Sequence, residues 1–325
     1  MERIAGYEPA DAIPMLPPTL RGGPRKALRT VWDLVWMTMW PYGFVYAGLA
    51  ALVWNVFTPA MERMERFAVG WIAEIYLRNV VLLLVSAGGL HLWLYVRRAQ
   101  GKDYKYDYRW PRKRSRRFLW RSQTRDNMFW ALTSGAFFWT AYEALLLWAY
   151  ANDHIARVDW GDGPGWVVYL LAMTVVPFFL VTAWFYVTHR LLHTRPLYRW
   201  AHYLHHKNVN TGPWSGLSMH PVEHLLYFST VLFFMVIPVS PFVVILTNLF
   251  TAMDPARGHC GFDRFEIGYG RTMPAGTYYH DLHHKYFECN YGLQVIPIDA
   301  WMGTWHDGSP EAHERMRARL EATRR

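Results

Sequence analysis

The sequence predicts an all-α protein: a polytopic transmembrane helical bundle capped on the cytoplasmic side by a histidine-rich helical region. Three observations carry this reading. Apolar runs long enough to cross a bilayer recur five times, and the basic residues between them concentrate on one side. Eleven of the fifteen histidines lie between His189 and His284, and they fall into spaced boxes. The 325 residues divide into a polar N-terminal segment, 1–30, one membrane-embedded domain, 31–310, and a charged C-terminal tail, 311–325; the histidine boxes occupy 188–304.

Just over half the residues (52%) are hydrophobic, yet mean hydropathy is only −0.04, because apolar runs alternate with strongly basic ones. Met1 to Leu20 is polar and proline-rich, without the apolar core of a signal peptide. Two cysteines, Cys260 and Cys289, exclude a disulfide framework and a cysteine zinc site; they read as ordinary thiols.

A spanning helix needs about 20 apolar residues. No charge occurs from Leu34 to Met61. A second run covers Asn79 to Val96, with Glu74 and Arg78 near a membrane edge. The third, Phe129 to Tyr150, holds one acid, Glu143, and the fourth, Gly165 to Thr188, holds none. The fifth, Leu225 to Met253, is interrupted by Pro238 and Pro241, a pair that turns a helical hairpin rather than kinking one helix.

Charge sets the orientation. Arg97 to Arg125 carries twelve Lys/Arg against two acids, so this loop stays cytoplasmic by the positive-inside rule. Headgroup binding is its first reading, docking of an acidic protein its second; between two spans, nucleic-acid binding is set aside. Arg21, Arg25, Lys26 and Arg29 precede the first run, and Asp153, Asp159 and Asp162 follow the third, on the opposite side. The fourth run then returns the chain to the cytoplasm immediately before His189. The hairpin brings it back before His259. Every box therefore reaches one membrane face.

His189 and His193 are four apart; His202, His205, His206 and His280, His283, His284 each read H-x-x-H-H. Residues three and four apart share a helix face. Neutral imidazole is the commonest metal ligand, and eight nitrogens exceed what one ion needs. Adjacent histidines diverge by about 100° at 3.6 residues per turn, so His205/His206 and His283/His284 can each serve neighbouring ions. The cap is thus expected to hold a dimetal site.

These boxes and their context resemble the fatty acid hydroxylase/sterol desaturase superfamily, on its sterol desaturase side. The likeness runs from about Thr188 to Thr304: H189-R-L-L-H193, L197-Y-R-W-A-H202-Y-L-H205-H206, M219-H220-P-V-E223, H259-C-G261, H280-D-L-H283-H284-K-Y-F-E-C-N290-Y291-G292 and D299-A-W-M-G303-T304. It implies an integral membrane enzyme whose histidine-ligated di-iron centre uses O₂ to hydroxylate or desaturate a lipid C–H bond. His189, His193, His202, His205, His206, His280, His283 and His284 would be ligands, with His259 a ninth; His220 is a ligand or a neighbour of one. Where the hydroxylase branch often has another histidine, this chain has Asp263, a candidate to ligate, to hydrogen-bond a ligand, or to do neither. The first 180 residues resemble the family only in hydropathy.

Oxidising an unactivated methylene exceeds the power of any side chain. Imidazole shells suit iron, copper, nickel or zinc; O₂ chemistry points to two iron ions, which zinc can replace on purification. Glu223, Asp281, Glu288 and Asn290 are candidates to hold the far ring nitrogens, Glu223 and Asn290 foremost. No dinucleotide, flavin, haem or iron–sulfur motif is present, so a separate electron donor is expected, ferredoxin-like or cytochrome b5-like with a reductase. The implied substrate is a membrane lipid, sterol-like or fatty acyl.

Two other readings compete. His220-Pro-Val-Glu223-His224 fits the H-x-x-E-H zinc-peptidase pattern, with Glu223 as base. A non-enzymatic metal carrier would need polar residues along a membrane path, where only His91 and Glu143 occur, and packing explains both.

Overall fold

The computed structural model describes residues 6–14, 23–156 and 163–322. Arg21, Asp159 and Asp162 of the charge argument lie outside the described residues.

The protein is mostly helical, and each long apolar run becomes helix. The first run is broken, however, into Pro24–Thr38 and Phe44–Val56. Trp40, which precedes Pro41, is extended (φ −94°, ψ 130°), as a residue before proline is disposed to be. One straight span across Leu34 to Met61 is therefore corrected to two shorter helices. Among the described residues, Val69–Val96 and Pro164–Leu192 are long and apolar enough to cross a bilayer. Both leave large apolar side chains exposed, including Leu77, Val81 and Val85 on the former and Val167, Val168 and Leu171 on the latter. Such surface is what a membrane covers.

The proline pair does turn the chain: helix ends with Met235 and resumes as Pro241–Gly258. Pro241 is its first residue, where the missing N–H has no partner to lose. This helix is the centre of the fold. Val243, Val244, Ile245 and Leu246 are all buried, so every face packs, against Tyr46, Trp139, Phe178 and Phe228 among others. Tyr150 donates to Val239 O (2.6 Å) and holds the turn against helix Ala136–Ala151.

Glu143 has a defined partner. Arg78 Nη2 lies 2.5 Å from its Oε1, both side chains being buried, and Asn79 Nδ2 reaches its Oε2 at 3.4 Å. A buried charge needs such pairing; here it ties Val69–Val96 to Ala136–Ala151. His91, half-buried, stacks on Tyr95 (5.4 Å).

The basic segment is not a free loop. Tyr106 N donates to Gly261 O (3.1 Å) and Asp263 N to Tyr104 O (2.8 Å). Gln123 and Asn127 both donate to Asn208 Oδ1 (3.0 Å each), two residues beyond His206. Lys105 is fully buried beneath Tyr95, Trp110 and Phe262. The segment therefore roofs the histidine region.

A short β-hairpin departs from an all-α fold. Arg264–Gly268 and Arg271–Pro274 pair antiparallel. Tyr269 (φ 51°) and Gly270 (φ 69°) form the turn, a left-handed pair of the kind two-residue hairpins require. The tail is also ordered: Pro310–Ala322 is helical and buries Ala312, His313 and Met316.

Candidate metal centre

Four helical elements deliver the histidines. His189 lies in the last turn of Pro164–Leu192, and His193 caps it. Thr194 is extended, Pro196 opens the next helical stretch, and His202, His205 and His206 follow within it. His280, His283 and His284 lie on Tyr278–Tyr286, and His259 caps Pro241–Gly258.

Nine of these nitrogens converge in two groups. His189, His193, His202, His206 and His283 form one; His205, His259, His280 and His284 form the other, the ligand atoms in each lying within 4.8 Å of one another. Each H-x-x-H-H box is split between the groups, as the divergence of adjacent residues around a helix requires. The groups adjoin: the rings of His206 and His284 are 4.9 Å apart.

In the first group, His193 Nε2 lies 3.1 Å from His202 Nε2, 3.1 Å from His206 Nε2 and 3.2 Å from His283 Nε2. In the second, His259 Nε2 lies 3.3 Å from His205, 3.1 Å from His284 and 3.0 Å from His280. A neutral ring nitrogen can donate or accept, so one nitrogen facing three others cannot be satisfied by protons alone. A cation at the centre satisfies them all. Ligands at about 2.1 Å from one ion and at right angles stand about 3 Å apart, the spacing seen here.

Burial, foremost, and neighbouring imidazoles push His193, His202, His205, His206, His280 and His284 far below the usual histidine range. Burial holds His259 at about 4. All are neutral at pH 7, the form that binds metal.

The far ring nitrogens find acceptors unevenly. His202 Nδ1 bonds Glu223 Oε1 (2.8 Å), His189 Nδ1 bonds Tyr291 O (2.6 Å), His283 Nδ1 bonds Cys289 O (2.7 Å) and His259 Nδ1 bonds Pro255 O (3.0 Å). Glu223 is buried, with Oε2 lacking a partner among the described residues. Burial pushes its carboxyl well above the usual range, and a cation on His202 would offset that. The donor set and this carboxylate fit a pair of metal ions.

Other expected residues serve the frame. Asn290 (φ 52°) donates to Tyr279 O and His306 O (3.0 Å each) and accepts from His306 N (2.8 Å); it pins a loop and touches no imidazole of the groups. Asp263 accepts from the Tyr106 hydroxyl (3.0 Å), and Glu288 pairs with Arg319 (3.4 Å). Asp281 is pushed up to about 7, chiefly by burial. His220 stands apart from both groups and caps Pro221–Phe228, its Nδ1 accepting from Val222 N (3.3 Å). His224 has both ring nitrogens engaged, by Ser134 Oγ (2.9 Å) and Leu217 O (3.2 Å). Glu223 bonds His202, so the H-x-x-E-H triplet is dispersed.

Asp299, the first residue of D299-A-W-M-G303-T304, holds the frame. It accepts from Tyr279 Oη (2.5 Å), Tyr291 N (2.9 Å), Gly292 N (2.7 Å) and Thr304 Oγ1 (2.5 Å), fixing the loop whose carbonyl meets His189. A cavity of about 750 Å³ opens onto His189, His202, His205, His259 and His280, walled mainly by apolar groups such as Leu34, Met37, Val181 and Phe250.

The fatty acid hydroxylase family matches residues 174–304. The chain is 30% identical over 150 residues to a Delta(7)-sterol 5(6)-desaturase of Gibberella zeae, covering 42% of this chain and 43% of that protein. It is 30% identical over 152 residues to methylsterol monooxygenase 1 of Gallus gallus (45% and 50%). Against a sphingolipid C4-hydroxylase of Saccharomyces cerevisiae it is 27% identical over 155 residues (46% and 44%). The chain thus spans about half the length of these relatives. No solved structure matches. Residues 174–304, the stretch that holds all nine converging histidines, match the fatty acid hydroxylase family and are similar to sterol desaturases and methylsterol monooxygenases.

Proposed function

We propose that this protein is an O₂-dependent di-iron oxidoreductase that hydroxylates or desaturates a C–H bond of a membrane lipid. The observation that carries the reading is the convergence of nine histidine nitrogens into two adjoining groups at the end of a large apolar cavity. The relatives' names, sterol desaturases, a methylsterol monooxygenase and a sphingolipid hydroxylase, support the same class.

His189, His193, His202, His206 and His283 would hold one ion, and His205, His259, His280 and His284 the other. Bound iron supplies the activation of O₂ that side chains lack. The chain supplies the rest. Glu223 orients His202 and balances charge; the carbonyls of Tyr291, Cys289 and Pro255 fix the rings of His189, His283 and His259. Leu34, Met37, Val181 and Phe250 exclude water and hold an apolar substrate against the ligands that line the cavity. Turnover needs electrons from an external donor, ferredoxin-like or cytochrome b5-like.

The spans and the basic segment support a multi-pass protein with both groups at the cytoplasmic face. A zinc peptidase is disfavoured by His224, whose ring nitrogens are both committed within the protein. The test is expression in a host supplied with sterols, acyl lipids and carotenoids and a working donor. Mass spectrometry should find a product that has gained one oxygen or lost two hydrogens, absent from His283→Ala, in protein carrying two irons. Two bound irons with no lipid altered would sink the oxygenase reading.

A further inference from the structure

The imidazoles and charged side chains that line the large cavity gather in two places. One is the histidine ligands with Glu223. The other is an ion pair, Asp254 with Arg257, flanked by Tyr42 and Tyr46, and it belongs to neither histidine group. Asp254 Oδ1 accepts from Arg257 Nε (2.9 Å) and from the Tyr46 hydroxyl (3.2 Å); Oδ2 accepts from Arg257 Nη2 (2.9 Å). Arg257 Nη1 donates to Ala275 O, and the guanidinium lies 4.4 Å from the centre of the Tyr42 ring. Tyr42 in turn donates to Pro274 O (2.9 Å). Helix Phe44–Val56, the end of the hairpin and helix Pro241–Gly258 therefore hold the pair rigidly at the cavity wall.

A guanidinium carries five N–H donors, and three are engaged by partners among the described residues. An ion pair on an apolar wall costs desolvation unless something completes its hydrogen bonding. Small numbers of polar groups in apolar pockets set the orientation of a ligand. The pair is neutral as a unit and offers a donor beside an acceptor. A hydroxyl matches both at once, donating to Asp254 while accepting from Arg257. A carboxylate would meet the like charge of Asp254, and a hydrocarbon would leave the pair unanswered.

We propose that Asp254 and Arg257, steadied by Tyr46, form the polar end of the substrate site and select a lipid alcohol. This rests on the oxygenase reading for its chemistry but not for its binding. It also sets where oxidation falls. Asp254 precedes His259, the cap of its helix, by five residues, roughly 7–8 Å at about 1.5 Å per residue. The oxidised carbon is therefore expected towards the hydroxyl end of the lipid, not at the far end of the tail.

The experiment is equilibrium binding to purified full-length protein in detergent, using matched probes: cholestanol against cholestane, and octadecanol against octadecane and octadecanoate. In the native protein at least one alcohol should outbind its hydrocarbon twin by about tenfold or more, the worth of one well-made buried hydrogen bond. In Asp254→Asn/Arg257→Met, which removes both charges together, that ratio should collapse towards one while hydrocarbon binding persists. Hydrocarbon binding reports an intact cavity. A purely structural ion pair would change both probes alike and leave the ratio. If the double variant loses hydrocarbon binding as well, Tyr46→Phe is read in its place and should lower the ratio several-fold. No preference for either alcohol, a preference that survives the double variant, or an unchanged ratio in Tyr46→Phe overturns the proposal. The assay uses neither O₂ nor donor. Selective alcohol binding without any oxidised product would leave this site standing and remove the oxygenase; oxidised lipid without alcohol preference would do the reverse.

Discussion

The histidine group centred on His193 and the group centred on His259 are built from the same side chain, yet their rings are held differently. In the first, His189, His202 and His283 each place Nδ1 on an acceptor, one of them the carboxylate of Glu223. In the second, His259 places Nδ1 on Pro255 O and His205 has a backbone hydrogen bond with Ser218, while Nδ1 of His280 and of His284, like that of His206 in the first group, is buried without a partner among the described residues. The first group includes the half-buried His193, beside the rings of Tyr198 (5.5 Å) and Tyr291 (4.8 Å). All members of the second are buried, close to the segment that carries Lys105. Partners on the far nitrogen fix ring orientation and raise ligand basicity. With three such acceptors, one of them a carboxylate, the first group should retain an ion more tightly than the second.

The largest expected effect comes from the hubs. His193→Ala and His259→Ala each remove the nitrogen that faces three others, so each should discharge its own ion and abolish turnover. Iron analysis should give about one iron per chain in either variant. Loss of both ions, or of neither, would show that the groups are not separate sites. Next is Glu223→Gln, which keeps the shape and removes the charge behind His202. Losing such a partner typically lowers metal affinity by 10–100-fold. Chelator titration followed by iron content should show release in two phases, the second group emptying first. Glu223→Gln should merge the phases by weakening only the tighter site. A single phase in the native protein would erase the contrast between the groups.

The roof offers a measurement in stability. Burial holds the Lys105 ammonium down to about 8, against about 10.4 in an unfolded chain. The folded state then binds fewer protons between those values, so stability should rise with pH across that window and level off above it. At about 1.36 kcal/mol per unit the full rise is of order 3 kcal/mol. Thermal midpoints in detergent across this range should climb for the native protein and stay flat for Lys105→Met. A native protein without the climb would mean that the roof is hydrated.

What could be read from the sequence was whatever helix geometry makes local. The spacing of His189 with His193, and the divergence of His205 from His206, needed only 3.6 residues per turn. Glu223 was nameable because it stands one turn from a histidine in a recognisable run. Backbone acceptors carry no side-chain signature, so Tyr291, Cys289 and Pro255 could not be foreseen as partners of the rings. An amide near a histidine box suits two tasks, and the left-handed backbone of Asn290 goes with its bonds to the loop. An apolar residue facing lipid and one facing a cavity look alike, which hid the part of Leu34 and Met37 in the cavity wall. The basic segment advertised its exposed charges and concealed Lys105.

Asp299 tests the frame of the first group, with the smallest expected change. Its two oxygens accept four hydrogen bonds, two of them from the backbone of Tyr291 and Gly292. Asn at this position keeps one acceptor and turns a donor towards groups that themselves donate. Bonds to a charged acceptor are worth about 1.5–3 kcal/mol, and some are retained, so Asp299→Asn should cost about 2 kcal/mol, a few degrees in thermal midpoint. The Tyr291 carbonyl then loosens beneath His189, whose ring belongs to the first group only. Chelator titration of Asp299→Asn should therefore move the slower phase towards the faster one and leave the faster phase in place. If the faster phase moves instead, Asp299 supports the whole centre, and the distinction between an anchored and a labile group fails.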